Sequence, residues 1–342
     1  MALLITGSTG FLGRHLHEAL SRSHPELNRI ALCRDESGWT KWPWARELGN
    51  TRVVQGGLLD ADRWGVEVGD KLDGIFHCAA LVQHSRRDVE PVYRTNVQGT
   101  QEMIRLAAKH QCRVVYISTS GTVGCFKTPD ESVDESADFC GEPVTTWPYY
   151  DSKIQSEQAA RQLADELGVE LVIIRPPVML GPGDHRFRST GNIIRHLRGK
   201  LPFLLRGGIH FIDVRDAAEA LATAMFHSQP QPVYHLEGTA CTVVQFFEMV
   251  EQASGVPTPR LRLSPDLALR VAQVTDWFTH LVPGDLHSPL PDPVVFEMAA
   301  RYWGLHSSWA AQDLNWTPRS GQTTIDETVS WLREVHPKCA TS

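Results

Sequence analysis

The sequence predicts a protein of the α/β class: a doubly wound parallel sheet with helices on both faces, followed by a smaller, mostly helical C-terminal lobe. Three observations predict it. Short apolar runs alternate with amphipathic stretches through the first half of the 342 residues. A glycine-rich turn joins the first run to the first amphipathic stretch. After about residue 176, prolines and glycines punctuate the chain, as in Gly181-Pro182-Gly183 and Pro289-Leu290-Pro291-Asp292-Pro293.

The apolar runs at 3–6, 30–33, 52–55, 74–77, 114–118 and 171–175 read as strands. Between them, 12–21, 97–110 and 152–167 carry helical spacing, and the last stops at Gly168, as helices often do. Strands alternating with helices need crossover connections and therefore run parallel. Ligands on such sheets sit beyond the carboxyl ends of the strands, where the strand order reverses. A return strand at 210–214 precedes a helix beginning near Asp216. The expected division is a body of residues 1–178, rejoined by 208–237, and a lobe of 179–207 and 238–342. The apolar, helical stretch 261–286 reads as lobe core more readily than as a substrate wall.

Composition excludes several classes. The formal net charge is −7 with no long basic run, so nucleic acid is not an expected partner, because phosphate neutralisation needs clustered Lys and Arg. Seven cysteines, an odd number with no Cys-x-x-Cys spacing, argue against a disulfide framework or a zinc site and for reduced thiols. Residues 1–6 lack a basic lead-in and meet glycine early, so they read as a buried strand and not a signal peptide. No stretch reaches the roughly 18 apolar residues of a membrane span. A cytoplasmic protein is expected.

The glycine turn is Gly7-Ser8-Thr9-Gly10-Phe11-Leu12-Gly13. It follows a strand and opens a helix, where glycine lets backbone N–H groups approach a pyrophosphate at the positive end of the helix. The second strand ends in Cys33-Arg34-Asp35. An acidic side chain there would hold the 2′-hydroxyl of NAD, whereas an arginine favours the 2′-phosphate of NADP. Arg34 is the better placed, with Arg14 as a candidate helper, and NADP(H) is expected over NAD(H); Asp35 leaves NAD open.

Tyr149-Tyr150-Asp151-Ser152-Lys153 places Tyr149 and Lys153 at i and i+4, on one helix face. A free phenol ionises near a pH of about 10, too high to be useful. A neighbouring ammonium and the positive charge of nicotinamide are expected to lower it, so that Tyr149 can exchange a proton with a carbonyl or alcohol. About thirty residues upstream, the strand end Tyr116-Ile117-Ser118-Thr119-Ser120-Gly121 offers a hydroxyl to the substrate oxygen.

The chain resembles the extended short-chain dehydrogenase/reductase family, of Rossmann fold, over nearly its whole length. The matching segments, besides the turn and Tyr149-x-x-Ser152-Lys153, are His77-Cys78-Ala79-Ala80, Asn96-Val97-Gln98-Gly99-Thr100, Ser118-Thr119-Ser120, Arg175-Pro176-Pro177, Gly181-Pro182-Gly183-Asp184 and Asp213-Val214-Arg215-Asp216-Ala217-Ala218. The resemblance implies that Tyr149 is the proton donor and acceptor, and that Lys153 binds the nicotinamide ribose and tunes the phenol. The catalytic hydroxyl falls on Thr119, with Ser120 as its rival, and Asn96 shapes the catalytic turn. Ala79 and Ala80 would wall the adenosine ribose, Leu58 would line the adenine pocket, and Pro176, Pro177 and Val178 would abut the nicotinamide. One departure stands out: Gly57 occupies the place of the family's adenine-side aspartate, which implies a modest cofactor affinity.

Within the family, Ser120-Gly121 differs from the Asp-Glu of nucleotide-sugar dehydratases, and Pro177 from the Asn usual in sugar-nucleotide epimerases. Arg175-Pro176-Pro177, Asp313-Leu314-Asn315-Trp316-Thr317-Pro318 and Thr328-Val329-Ser330-Trp331-Leu332 are similar to dihydroflavonol-reductase-like and 3β-hydroxysteroid-dehydrogenase-like members. These imply ketone and secondary-alcohol interconversion on a fairly apolar small molecule, with no metal needed. Three alternatives stay open: a thioester or acyl reductase acting with a carrier protein or CoA, a sugar-nucleotide epimerase, and a dinucleotide-sensing regulator. His185 and Arg188, beside Arg186 and Phe187, either line the substrate mouth or face solvent. A homodimer is compatible with the family.

Overall fold

In the computed structural model, which describes residues 1–69, 71–264, 267, 270 and 292–336, the apolar runs form one parallel sheet. Its strands are β1 (Ala2–Thr6), β2 (Asn28–Cys33), β3 (Thr51–Gln55), β4 (Gly74–His77), β5 (Arg113–Ile117) and β6 (Leu171–Arg175). Three further strands are β7 (Val178–Leu180), β8 (Gly208–Asp213) and β9 (Val233–His235). The sheet order is β9-β6-β5-β4-β1-β2-β3, so the chain steps outward from β1 in one direction and returns through β4 in the other. The reversal lies between β1 and β4, and the glycine turn begins at the carboxyl end of β1.

The principal helices are α1 (Phe11–Ser23), α2 (Gly99–His110), α3 (Pro148–Leu167), α4 (Gly191–Leu197), α5 (Val214–Phe226), α6 (Val243–Ser254) and α7 (Gly321–Val335). Helices α1 and α5 pack on one sheet face, with Leu3, Ile5, Leu16 and Leu221 fully buried there. Helices α2 and α3 cover the other, with Leu4, Ile75, Ile104 and Ala160. Strands buried on both faces explain why they read as continuous apolar runs and not as alternating ones.

Two elements differ from expectation. Strand β9 joins the sheet edge beside β6, yet its three residues follow two prolines and carry little signal of their own. Helix α3 begins four residues before its apolar spacing does, because Pro148 starts it, a position where the missing proline N–H costs nothing. The return strand β8 pairs outside the main sheet, parallel to β7 and antiparallel to Thr239–Thr242. Beyond it α4, α6 and α7 enclose a separate core of Phe211, Phe247, Val250, Ile325 and Leu332. Short strands at Thr239–Thr242, Arg262–Leu263 and Tyr302–Trp303 lie between these helices. Most of the apolar stretch 261–286, and Cys339, lie outside the described residues.

Candidate active site

At the reversal point the glycine turn is as close to β4 as backbone allows. Gly7 has φ +69°, and a Cβ on it would lie 2.8 Å from the Ala79 nitrogen. A Cβ on Gly13 would lie 2.3 Å from the Gly7 carbonyl oxygen. Only glycine fits either place, and the result is that α1 starts directly over the turn. Its N-cap, Gly10, provides no side-chain cap, so the first N–H groups of α1 face the crevice beside Thr9, Phe11 and Leu12. That cradle fits a pyrophosphate.

The next strand end turns two charges different ways. The Asp35 carboxylate accepts from the Ser37 N–H at 3.0 Å and from the Ser37 hydroxyl, which hold it below the usual carboxylate range. Arg34 is exposed, and among the described residues no carboxylate pairs with it. Arg14, the expected helper, is engaged elsewhere: Nε donates to Glu18 at 2.9 Å, Nη1 lies 2.5 Å from His185 Nε2, and the guanidinium covers Trp44 at 5.3 Å. Leu58 packs on Gly99, where a Cβ would meet its Cδ1 at 2.8 Å. The space left by Gly57 is bordered by the Asp60 carboxylate, 3.1 Å from where a Cβ would stand.

Helix α3 presents Tyr149 and Lys153 from its first two turns toward the end of β5. Lys153 is buried; its Nζ donates to the Ile117 carbonyl at 2.5 Å and lies 4.3 Å above the Tyr116 ring. Burial lowers its pKa to about 7 against the opposing pull of Glu157 and Cys78. The expected lowering of Tyr149 is not what the protein alone produces, because burial raises this phenol to about 12. Desolvation of a phenolate outweighs a lysine whose ammonium is aimed at a carbonyl. Tyr150 plays a wall role: its ring fills the space over Gly121 and stacks on Trp303 at 5.4 Å.

The hydroxyls divide. Thr119 caps the short turn Ser120–Thr122, its Oγ1 accepting weakly from the Gly121 N–H at 3.4 Å, and it is partly exposed. Ser120 is buried, with its N–H donated to the Pro176 carbonyl at 2.9 Å. Val178, next along, is exposed.

The Asn96 side chain is buried and engaged at both of its polar atoms. Its Oδ1 accepts from the Leu81 N–H at 2.8 Å, and its Nδ2 donates to the Leu81 carbonyl and to Ser152 Oγ at 3.0 and 2.9 Å. It therefore ties the loop carrying Ala79 and Ala80 to helix α3. A buried chain of hydroxyls extends this tie: Tyr116 to Ser156, Ser156 to Thr100, Thr100 to His77, and His77 to Thr6 at the start of the glycine turn.

Sequence reasoning missed two residues. Glu157, buried one turn beyond Lys153, accepts from Arg175 Nη2 at 2.7 Å and from Arg175 Nε, and also takes the hydroxyl of Ser118. The sign was its place at i+4 from Lys153. His84 sets its ring edge-on to Tyr149 at 5.6 Å, with Nδ1 buried and without a partner among the described residues. No local pattern marked it. His185 is not beside Tyr149's ring system but stacks on Trp42 at 4.5 Å and packs edge-on against Trp331. Arg188 lies near enough to His84 that its charge, after burial, depresses that imidazole. A hollow of about 740 Å³ lies at the far ends of α1 and α5, by His24, Phe226 and Asp313, away from these groups.

A switch-point glycine cradle combined with a Tyr-x-x-x-Lys helix defines a dinucleotide-dependent enzyme acting on CH–OH or C=O. The chain belongs to the NAD dependent epimerase/dehydratase family, whose model matches residues 3–236. It is 29% identical over 338 residues to a Synechocystis sp. protein named as a dihydroflavonol 4-reductase, covering 96% of this chain and 94% of that one. It is 27% identical to sterol demethylase protein B of Methylococcus capsulatus, covering 98% and 99%. Among solved structures it resembles dTDP-glucose 4,6-dehydratase from Bacillus anthracis in complex with NAD, with a TM-score of 0.75 at 17% identity over 99% and 98% of the two chains. The protein is thus an NAD(P)-dependent oxidoreductase of the extended short-chain type. Among the described residues no helix is long and apolar enough to cross a membrane.

Proposed function

We propose that the protein interconverts a ketone and a secondary alcohol on a fairly apolar small molecule, with NADP(H) preferred over NAD(H). The observation that carries the reading is the seating of Tyr149 and Lys153 one helical turn apart, with Lys153 Nζ on the Ile117 carbonyl and Thr119 at the head of the turn that follows. In this reading Gly7, Thr9, Gly10, Phe11, Leu12 and Gly13 hold the pyrophosphate. Arg34 meets the 2′-phosphate, and the use of Asp35 by Ser37 supports that choice over a ribose contact. Leu58, Ala79 and Ala80 line the adenosine half, and Pro176 and Val178 the nicotinamide half. Residues 1–178 with 208–237 form the dinucleotide body, and 179–207 with 238–342 the substrate lobe, the boundary running through the pairing of β8 with Thr239–Thr242.

When bound, the nicotinamide supplies or accepts the hydride. Tyr149 holds the proton at its phenol oxygen and delivers it to the substrate oxygen, and Thr119 orients that oxygen through its hydroxyl. A phenol raised to about 12 is fully protonated at neutral pH, which suits it to the reducing direction. Lys153 holds the ribose and, as ammonium, favours the phenolate left after proton delivery. Asn96 and Ser152 fix the helix on which both residues stand.

The test is Tyr149→Phe assayed against a panel of ketones and alcohols, alongside titration of the wild type with NADPH and NADH. Turnover should fall by at least about a hundredfold, in keeping with the usual worth of a positioned proton donor, while NADPH still binds. Unchanged turnover overturns the mechanism. Tighter binding of NADH than NADPH overturns the role of Arg34.

A further inference from the structure

A cation enters the dinucleotide crevice from outside the main sheet. Arg186, on the loop between β7 and α4, donates from Nη2 to Thr9 Oγ1 at 3.3 Å. A lobe guanidinium therefore lies on the middle of the glycine turn. It shares that space with Arg34 and Arg188, and partial desolvation together with their like charges holds its pKa below the usual arginine range. The acid nearest to it in the loop is already used: Asp184 Oδ2 accepts from the N–H groups of Ser189 and Thr190 at 2.9 and 3.0 Å and from Thr190 Oγ1 at 3.0 Å.

The loop itself is fixed on both sides. The Pro182 carbonyl lies 2.9 Å from His15 Nε2, and His185 is held between Arg14 and Trp42. Gathering guanidiniums against one nearby carboxylate, Asp184, whose opposing pull is smaller than their mutual repulsion and the burial, is unfavourable in the protein alone, since like charges repel. It becomes favourable when a multiply charged anion enters, because guanidinium binds phosphate oxygens through charge-assisted, forked hydrogen bonds.

We propose that Arg186 is a pyrophosphate clamp, reaching from the lobe loop across the glycine turn so that the dinucleotide is held between body and lobe. The inference rests on the oxidoreductase reading above and adds a phosphate ligand that the glycine turn does not supply. Arg34 and Arg186 then have separable signatures. The 2′-phosphate that Arg34 meets belongs to NADP alone, whereas the pyrophosphate under Arg186 is common to both dinucleotides.

The experiment measures Kd for NADPH and for NADH on the full chain, for wild type, Arg186→Gln and Arg34→Gln, at low and high salt. Arg186→Gln should weaken both dinucleotides by the same factor, about tenfold or more, or about 1.4 kcal/mol, with a smaller loss at high salt. Arg34→Gln should weaken NADPH alone. Arg186 is exposed, so the ligand-free Tm should not move. Affinities within twofold of wild type in Arg186→Gln overturn the clamp, and so does a loss confined to NADPH. If the wild type binds neither dinucleotide, the oxidoreductase reading falls and the clamp with it. If it binds both equally while Arg186→Gln loses both, the NADP preference fails and the clamp stands.

Discussion

Thr119 and Ser120 are adjacent hydroxyls with opposite environments, and the proposed reading gives the substrate oxygen to Thr119. Thr119 is partly exposed and spends its Oγ1 on one long contact to the Gly121 N–H. Ser120 is buried beneath the turn, tied through its backbone to Pro176. Thr119→Ala should therefore lower kcat by about 10²–10³, the usual worth of one donor to a developing oxyanion, with NADPH affinity unchanged. Ser120→Ala should leave kcat within a few-fold. The reverse ranking in steady-state kinetics would assign the role to Ser120. The sequence left these two residues open because spacing counts positions along the chain, whereas burial decides which hydroxyl can meet a ligand. The same limit applies to Tyr149. Its i+4 lysine was legible, but the burial that raises the phenol is set by the fold, which brings His84, distant in sequence, edge-on to the ring.

Helix α3 carries Tyr149 and Lys153 in its largely buried first turns and anchors itself further along. Glu157 is fully buried and meets Arg175 of β6, with the Ser118 and Thr122 hydroxyls on its Oε1. Removing one member of such a pair strands the other charge away from water, whereas replacing both by apolar groups removes the problem. Glu157→Gln should lower the unfolding free energy by about 3–5 kcal/mol, read by urea denaturation. Glu157→Leu combined with Arg175→Met should lose less than the single change; an equal or larger loss would mean that the pair is not the anchor. Strands and helices were legible in the sequence because both sheet faces are covered, so each strand reads as an apolar run. The anchor was not, because it joins two elements through side chains whose sequence spacing has no helical or strand period.

Across the whole molecule, histidine burial sets the acid limit. His17 and His77 are pushed down to about 3 and His210 to about 4, in each case mainly by burial, and His235 is lowered as well. A histidine whose folded pKa lies below its unfolded value stabilises the fold above pH 6.5 and loses that contribution as pH falls toward the folded pKa. Each costs about 1.4 kcal/mol per pH unit below its unfolded value. Three or four together should remove several kcal/mol between about pH 7 and pH 5, a large part of an ordinary domain's stability of about 5–15 kcal/mol. Denaturant unfolding at the two pH values measures this, and an unchanged free energy would show that these imidazoles are not held neutral. The packing of residues 39–44 near the loop that bears Arg186 also has an optical side. Trp42 stacks on His185, and Trp44 lies under Arg14 and edge-on to Trp39, all beside the loop that bears Arg186. Indole emission overlaps the absorption of reduced nicotinamide, so under the proposed cofactor reading these tryptophans should act as energy-transfer donors to it. Cofactor arrival can thus be followed by energy transfer in the unlabelled protein, without added dye or engineered probe.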